Sequence, residues 1–297
     1  MRLASVLTDE GMRLFVRARS GYVDVAKATG EVTYRSAVGL LRAGRRGLEA
    51  AAVAAEANGR EVDPSELGPA VPDAGRVLCL GLNYRDHALE GGREAPSWPE
   101  CFVRGSGSLS GPFSPLVRPA FSTKLDYEGE LGLVIGGGGR YIPAEKALSA
   151  IAGYVVLNDA SVRDWQRAGT QWTAGKNFDA TMPIGPEIIT TDEVDASDLA
   201  LTTTLNGAVM QSARTSQMIV GIASTIEFLS SFTTLCPGDV IATGTPGGVG
   251  FARRPPVWLT PGDVVEVSIE NIGTIRNTVV EEAGAPTQWP WRPQRAS

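Results

Sequence analysis

Asp126-Tyr127-Glu128-Gly129-Glu130-Leu131-Gly132-Leu133-Val134-Ile135 is the stretch on which the reading of this chain turns. As a strand it places Glu128, Glu130, Gly132 and Val134 on one face and Gly129, Leu131, Leu133 and Ile135 on the other. Beyond the glutamates both faces are apolar or small, the pattern of a strand covered on both sides, and Gly136 to Gly139 end it. Two glutamates at i and i+2 point the same way, with Cβ atoms roughly 6 to 7 Å apart. Carboxylates in such a place need a partner, and no Lys or Arg stands at cross-face spacing within the strand. A hard cation, Mg²⁺, Mn²⁺ or Ca²⁺, supplies one.

Moving outward, Tyr154 to Leu157 reads as a second buried strand that stops at Asn158-Asp159, so Asp159 is a third candidate ligand. Three carboxylates on one divalent ion leave about three octahedral positions for water or a chelating substrate, which suits a small 2-oxo acid. A single histidine and dispersed cysteines argue against zinc. That histidine, His87, precedes Glu90 by one helical turn in a segment closed by Gly91-Gly92. Folded over the carboxylates, Glu90 orients His87 as a general base. Lys176 stands alone among uncharged neighbours and is placed to balance an anionic site or hold a substrate oxygen. Thr243 to Gly248 follows a strand and offers a hydroxyl and backbone N–H groups, without the spacing of a P-loop.

The 297 residues suffice for one large core or a principal domain with a smaller one. With 35 glycines and 19 prolines, a mainly β protein with α elements (α+β) is expected rather than a helical bundle. A net charge of -6 without a basic track excludes nucleic acid as a partner. Three cysteines without a CxxC pair point to a reducing compartment. With no secretory leader evident and no apolar run of membrane-spanning length, the expected setting is cytoplasmic, away from membranes. Residues 1–70 read as a small unit, with strands over 1–7 and 11–16 and a helix over 44–58. Residues 69–75 read as a linker, 71–282 as the main domain, and 283–297, with Trp289 to Pro293, as a tail. Further elements are a strand over 76–80, an irregular loop over 105–115, and a helix over 143–151. A hairpin turns at Asn206-Gly207, a helix runs from Ser216 capped by Thr215 or Ser216, and strands follow over 240–243, 264–269 and 273–280.

Five ordered segments over residues 76–280 resemble the fumarylacetoacetate hydrolase family, in particular its acylpyruvase, isomerase and decarboxylase-like members. They are Gly81-Leu-Asn-Tyr-Arg-Asp-His87-Ala-Leu-Glu90, Asp126-Tyr-Glu128-Gly-Glu130-Leu, Ala152 to Asp159 with Arg163-Asp164, Gly175-Lys176-Asn-Phe178-Asp179, and Pro237 to Gly250. The resemblance implies a mixed β-roll preceded by a small α+β domain, and a homodimer. It also implies Mg²⁺ or Mn²⁺ on Glu128, Glu130 and Asp159, with Ca²⁺ as a non-physiological occupant. It assigns catalytic roles to His87, Glu90 and Lys176, and substrate contacts to Tyr84, Arg85, Arg104, Arg163, Gln166 and Thr245. Arg104 departs from the family pattern, standing where many relatives carry lysine, and a planar fork there alters what the site prefers. The implied activity is metal-dependent hydrolysis of a C–C bond in an acylpyruvate, as in breakdown of aromatic compounds. The alternatives are isomerisation or decarboxylation of an unsaturated 2-hydroxy or 2-oxo dicarboxylate, or a non-catalytic metabolite-binding role.

Overall fold

The computed structural model describes residues 1–286, so the expected segment from Trp289 to Pro293 lies outside the described residues. The chain opens with an antiparallel meander of β1 (Arg2–Thr8), β2 (Gly11–Ala18) and β3 (Gly21–Asp24). Three short helices follow, α1 (Val25–Thr29), α2 (Ala37–Arg42) and α3 (Arg45–Ala54). The helix expected over 44–58 is α3, which gives way to turns after Ala54.

Next come β4 (Val77–Gly81), α4 (Arg85–Glu90), β5 (Glu100–Arg104) and the short pieces β6 (Leu109–Ser110), β7 (Leu116–Arg118) and β8 (Leu125–Asp126). The middle of the chain supplies β9 (Gly129–Ile135), β10 (Ile151–Asn158), β11 (Ser161–Val162), α5 (Arg163–Gln166), α6 (Thr173–Lys176) and β12 (Met182–Thr190). Last are β13 (Ala200–Leu205), β14 (Ala208–Arg214), α7 (Ile222–Phe232), β15 (Val240–Ala242), β16 (Val264–Ile269) and β17 (Gly273–Glu281).

These strands form a ten-stranded sheet of order β3-β2-β1-β12-β10-β9-β15-β4-β5, with β6 against β12, and a five-stranded sheet of order β14-β13-β16-β17-β7. Pairing is mostly antiparallel, with parallel contacts at β15–β4, β12–β6 and β17–β7. This is the mixed, mainly β α+β architecture the sequence predicts. Because β1 pairs with β12, Leu3 opposite Ile188, the first strands belong to the same sheet as the rest.

β9 lies between β10 and β15, and all seven of its residues are buried. Its alternation holds. Val134 packs toward α1 to α3 in one core with Leu3, Leu14 and Leu41, while Leu131, Leu133 and Ile135 pack toward the second sheet and α7 with Leu201 and Ile269. Gly129, on that second face, permits the sheets to meet: a Cβ there would sit 2.2 Å from Thr203 Oγ1 and 2.8 Å from Val267 Cγ1. The glutamates on either side therefore face away from the second sheet.

Two expectations need correction, and one strand was not foreseen. The helix predicted from Ser216 begins at Ile222 with Gly221 before it and no side-chain cap. Thr215 is engaged elsewhere, donating to Ala196 O and accepting from Leu199 N, each at 2.8 Å, so it is unavailable as a cap. Residues Ala144–Ala150 form 3₁₀ rather than α-helix. β12, central to the large sheet, has no counterpart in the sequence reading, because Pro183, Gly185 and Pro186 disguise it as a loop. Its pairing with β10 shifts register between Tyr154 and Val156, opposite the stretch that holds Pro186, which accommodates that proline's missing N–H donor, while Pro183 lies nearer the strand's start, opposite Ser110 of β6. Among the described residues no helix is long and apolar enough to cross a membrane.

Candidate active site

Glu128 at the mouth of β9, Glu130 one pleat further and Asp159 just past the end of β10 converge because β9 and β10 pair antiparallel, Leu157 opposite Glu130 and Asn158 opposite Gly129. Their carboxylate oxygens lie within 4.8 Å of one another, and all three residues are buried. Asn158 fixes the approach by accepting from Glu128 N at 2.9 Å, while Asp159 N donates to Glu128 O at 2.8 Å.

Basic residues from outside the strand surround them, which spacing within β9 did not reveal. Lys176, at the end of α6 and 2% exposed, places Nζ 2.5 Å from both Glu128 Oε2 and Asp159 Oδ2. Arg163 sits 2.6 Å from Glu128 Oε1 and also donates through Nε to Asp126 Oδ2 at 2.8 Å. Asp126 is a fourth buried carboxylate, held by the N–H groups of Gly250 (2.8 Å) and Phe251 (3.1 Å), and it faces Arg163 rather than the triad. Arg104 pairs with Asp159 Oδ1 and donates to Ala160 O at 3.0 Å and Thr181 Oγ1 at 2.6 Å.

The consequences for protonation differ sharply. Burial pushes Glu128 up, but Arg163, Lys176 and His87 outweigh it and hold the carboxyl at about 2. Glu130 has one donor, the Gly244 N–H at 2.7 Å, and burial together with the charges of Asp159 and Glu128 drives it well above the usual carboxylate range. Lys176 loses solvation, yet Asp159 and Glu128 keep it firmly protonated. Three hard oxygen donors, one of them short of positive charge, fit a hard divalent cation held by Glu128, Glu130 and Asp159.

A cavity of about 370 Å³ opens over the carboxylates. His87 on α4 lines it, 6% exposed, with Nδ1 2.8 Å from Glu90 Oε1. A carboxylate only accepts, so Nδ1 carries the proton toward Glu90 and Nε2 is left as an acceptor. The other Glu90 oxygen accepts from Gly248 N at 2.7 Å, fastening α4 to the glycine-rich loop after β15. Thr245 in that loop lines the cavity, donating to Gly129 O at 3.0 Å and accepting from Gln211 Nε2 at 2.8 Å. Gln166 lines it too, its Oε1 accepting from Arg163 Nη1 at 3.1 Å.

Of the sequence-predicted residues, Glu128, Glu130, Asp159, His87, Lys176, Arg163, Gln166 and Thr245 line this cavity, and Glu90 stands behind His87. Three others do not. Arg104 is buried beneath the triad with its fork engaged by Asp159, Ala160 and Thr181, so it braces a carboxylate instead of meeting substrate. Tyr84 is 1% exposed and packs with Leu80 and Met218 in the core behind α4. Arg85 is exposed, because two residues along a helix from His87 is the far side. Sequence reading missed Phe102, Trp172 and Phe251, which wall the cavity, and Arg167, at its mouth. Only the recurrence of aromatics around the motifs hints at them.

The sequence profile of the fumarylacetoacetate hydrolase C-terminal domain matches residues 76–280. The chain is 44% identical over 208 residues to bovine (Bos taurus) oxaloacetate tautomerase FAHD2A, mitochondrial, a match covering 69% of this chain and 66% of that one, just under two thirds of the relative's length. It is 43% identical over 217 residues to 2,4-didehydro-3-deoxy-L-rhamnonate hydrolase of Sphingomonas sp. (strain SKA58), covering 72% and 76%. Among solved structures, a fumarylacetoacetate hydrolase from Exiguobacterium antarcticum matches with a TM-score of 0.78 at 33% identity, covering 95% of this chain and all of that one (100%). An HpcE protein of Mycobacterium smegmatis matches with a TM-score of 0.88 at 38% identity, covering 95% and 99%.

Proposed function

The chain belongs to the fumarylacetoacetate hydrolase family, whose members include hydrolases, isomerases and tautomerases, and from that premise we propose that it hydrolyses the C–C bond of a small 2,4-dioxo acid. The observation that carries this reading is the pair of functions facing one cavity: an oxygen triad suited to a hard cation, and a histidine whose base nitrogen is set by Glu90. Glu128, Glu130 and Asp159 would hold a divalent ion, Mg²⁺ or Mn²⁺, which when bound would supply Lewis acidity toward the 2-oxo carboxylate end of the substrate.

His87 Nε2 takes a proton from water as the water oxygen bonds to C4. The C3–C4 bond then breaks, its electron pair passing into the C2–C3 unit as the enolate of pyruvate, and the C4 fragment leaves as a carboxylic acid. The proton held by His87 goes to C3 and gives pyruvate, so one water is consumed and no oxidant or reductant is required. Glu90, locked to Gly248 N–H, keeps the imidazole oriented with Nε2 toward the cavity. Lys176 offsets the anionic floor, and Gln166, its Oε1 taken by Arg163, keeps its amide NH₂ for a substrate oxygen, while Thr245, its hydroxyl proton given to Gly129 O, shapes the wall.

Two relatives support the reading by name, the rhamnonate hydrolase above and a maleylpyruvate hydrolase of Sphingobium sp. SYK-6 at 30% identity. The test is His87→Ala: turnover of acylpyruvates falls by about 10²- to 10⁴-fold, as for loss of a general base, while Mn²⁺ uptake stays. Undiminished hydrolysis by that variant would refute the assignment. A second reading, keto–enol tautomerisation of a 2-oxo dicarboxylate, is favoured by the oxaloacetate tautomerase names among the relatives. There His87 moves a proton between C3 and solvent and no water adds. Product masses separate the two, since only hydrolysis yields fragments.

A further inference from the structure

The cavity is graded from an ionic floor to a cationic mouth. Its floor is the carboxylate triad with Lys176, and its walls are aromatic, Phe102 against Trp172 with ring centroids 5.4 Å apart and Phe251 beyond them. Phe251 carries two guanidinium groups, Arg163 at 4.6 Å and Arg167 at 4.5 Å from its centroid. The two arginines are otherwise opposites. Arg163 is buried and bonded to Asp126, Glu128 and Gln166. Arg167 is exposed at the cavity mouth, one residue past α5, and among the described residues no carboxylate or carbonyl accepts from its guanidinium. The other arginine at the mouth, Arg93, is already paired with Glu100 at 2.5 Å.

A guanidinium held over a ring and lining a cavity, with its donors unanswered among the described residues, is a receptor for a planar anion. We propose that Arg167 binds a second carboxylate at the far end of the substrate, so that the site selects dianionic 2-oxo acids over those with an uncharged tail. This rests on the proposed function for the placement of the 2-oxo carboxylate at the floor. The Phe251 ring holds Arg167 in place, which limits the side-chain order lost on binding. The aromatic walls put low-polarity surface along the span between the two charged ends, which raises the worth of the contact.

The experiment compares two unreactive ligands of equal carbon count, 2-oxoadipate and 2-oxohexanoate, by calorimetry on the full chain with Mn²⁺ present, alongside steady-state turnover of acylpyruvates with and without a terminal carboxylate. The wild type is expected to bind 2-oxoadipate about 10- to 100-fold more tightly, the range of one charge-assisted contact. Arg167→Gln removes that preference, and Arg167→Lys restores part of it, since a lysine keeps the charge without the fork. The turnover ratio between the two acylpyruvates falls in Arg167→Gln through KM, with kcat moving little. Equal binding of the two ligands by the wild type, or a preference that survives in Arg167→Gln, would overturn the subsite. Preference intact with no acylpyruvate cleaved would instead count against the hydrolytic reading alone, and cleavage intact with no preference against the subsite alone.

Discussion

Glu130 and Glu128 are two residues apart on one strand face, yet their surroundings push them in opposite directions. Glu128 meets Arg163 and Lys176, while Glu130 meets one backbone N–H and the charges of its neighbours. The signs for stability follow. Glu128, held at about 2 against an ordinary 4.5, adds stability that is present above 4.5 and is lost as pH falls toward 2. Glu130, raised well above 4.5, binds its proton more tightly in the folded protein, so its contribution fades as pH rises from 4.5 through its folded value. A divalent ion held by Glu130 would have to displace any proton that the raised carboxyl carries. Calorimetric titration of the ion-free protein with MnCl₂ at neutral pH, repeated in buffers of different ionisation heat, is expected to show release of up to about one proton per ion. Heats independent of the buffer would contradict it. Glu130→Gln, which needs no proton to be neutral, is expected to leave the ion-free protein at least as stable as wild type at neutral pH. The same variant should abolish the rise in melting temperature that Mn²⁺ gives. Why these carboxylates were legible in the sequence is plain, since period two places them together; why Lys176, Arg163 and Arg104 were not is equally physical. Their nearness to the triad depends on α5 and α6 packing on each other and on β11, with β5 against α6, and no local spacing encodes that.

An element can impose a constraint on a site from its unused face. β9 presents Glu128 and Glu130 to the cavity and Gly129 to the second sheet, with only 2.2 Å between a would-be Cβ and Thr203 Oγ1. Gly129→Ala must push β9 from β13 or twist it, and the two flanking carboxylates move with it. Overpacking of this kind costs about 1–3 kcal/mol, and the displaced ligands are expected to weaken Mn²⁺ binding by more than the stability loss predicts. Thermal melting and metal titration together check this, and unchanged affinity in a destabilised protein would show that the ligands do not depend on the sheet contact. Strands with clean alternation were the readable ones: β9, the Asn206-Gly207 hairpin with positive φ of 52° and 82°, and the β16–β17 pair. β12 was unreadable because Pro186 beside Gly185 is tolerated through a register shift against β10, a tertiary accommodation. The start of α7 was misread for a like reason, Thr215 serving Ala196 and Leu199 instead of a helix end.

At the scale of the molecule, the reading of residues 1–70 as a small unit bears on what the large sheet needs. β12 is flanked by β10 on one side and β1 on the other. Without β1, the backbone groups of Ile188 and Ile189 that face Leu3 and Arg2 become a free edge, open to pairing with other chains. The same segment covers a face of the core: Leu3, Leu14, Leu40 and Leu41 are all at most 2% exposed and pack in one cluster with Val134, Val155, Ile184 and Ile188. Each such side chain contributes about 1.5–3 kcal/mol through burial. Losing four, together with the partners they cover, removes an amount comparable to the whole stability of a domain, about 5–15 kcal/mol. A chain starting at residue 71 is therefore expected not to fold alone, although it keeps every proposed ligand and His87. Expressed and purified in parallel with the full chain, it should show no cooperative thermal transition and should aggregate. A soluble product with a sharp melt and Mn²⁺ uptake would mean that the site-bearing sheet closes without its first strands, and that β1 to β3 serve some purpose other than holding it together.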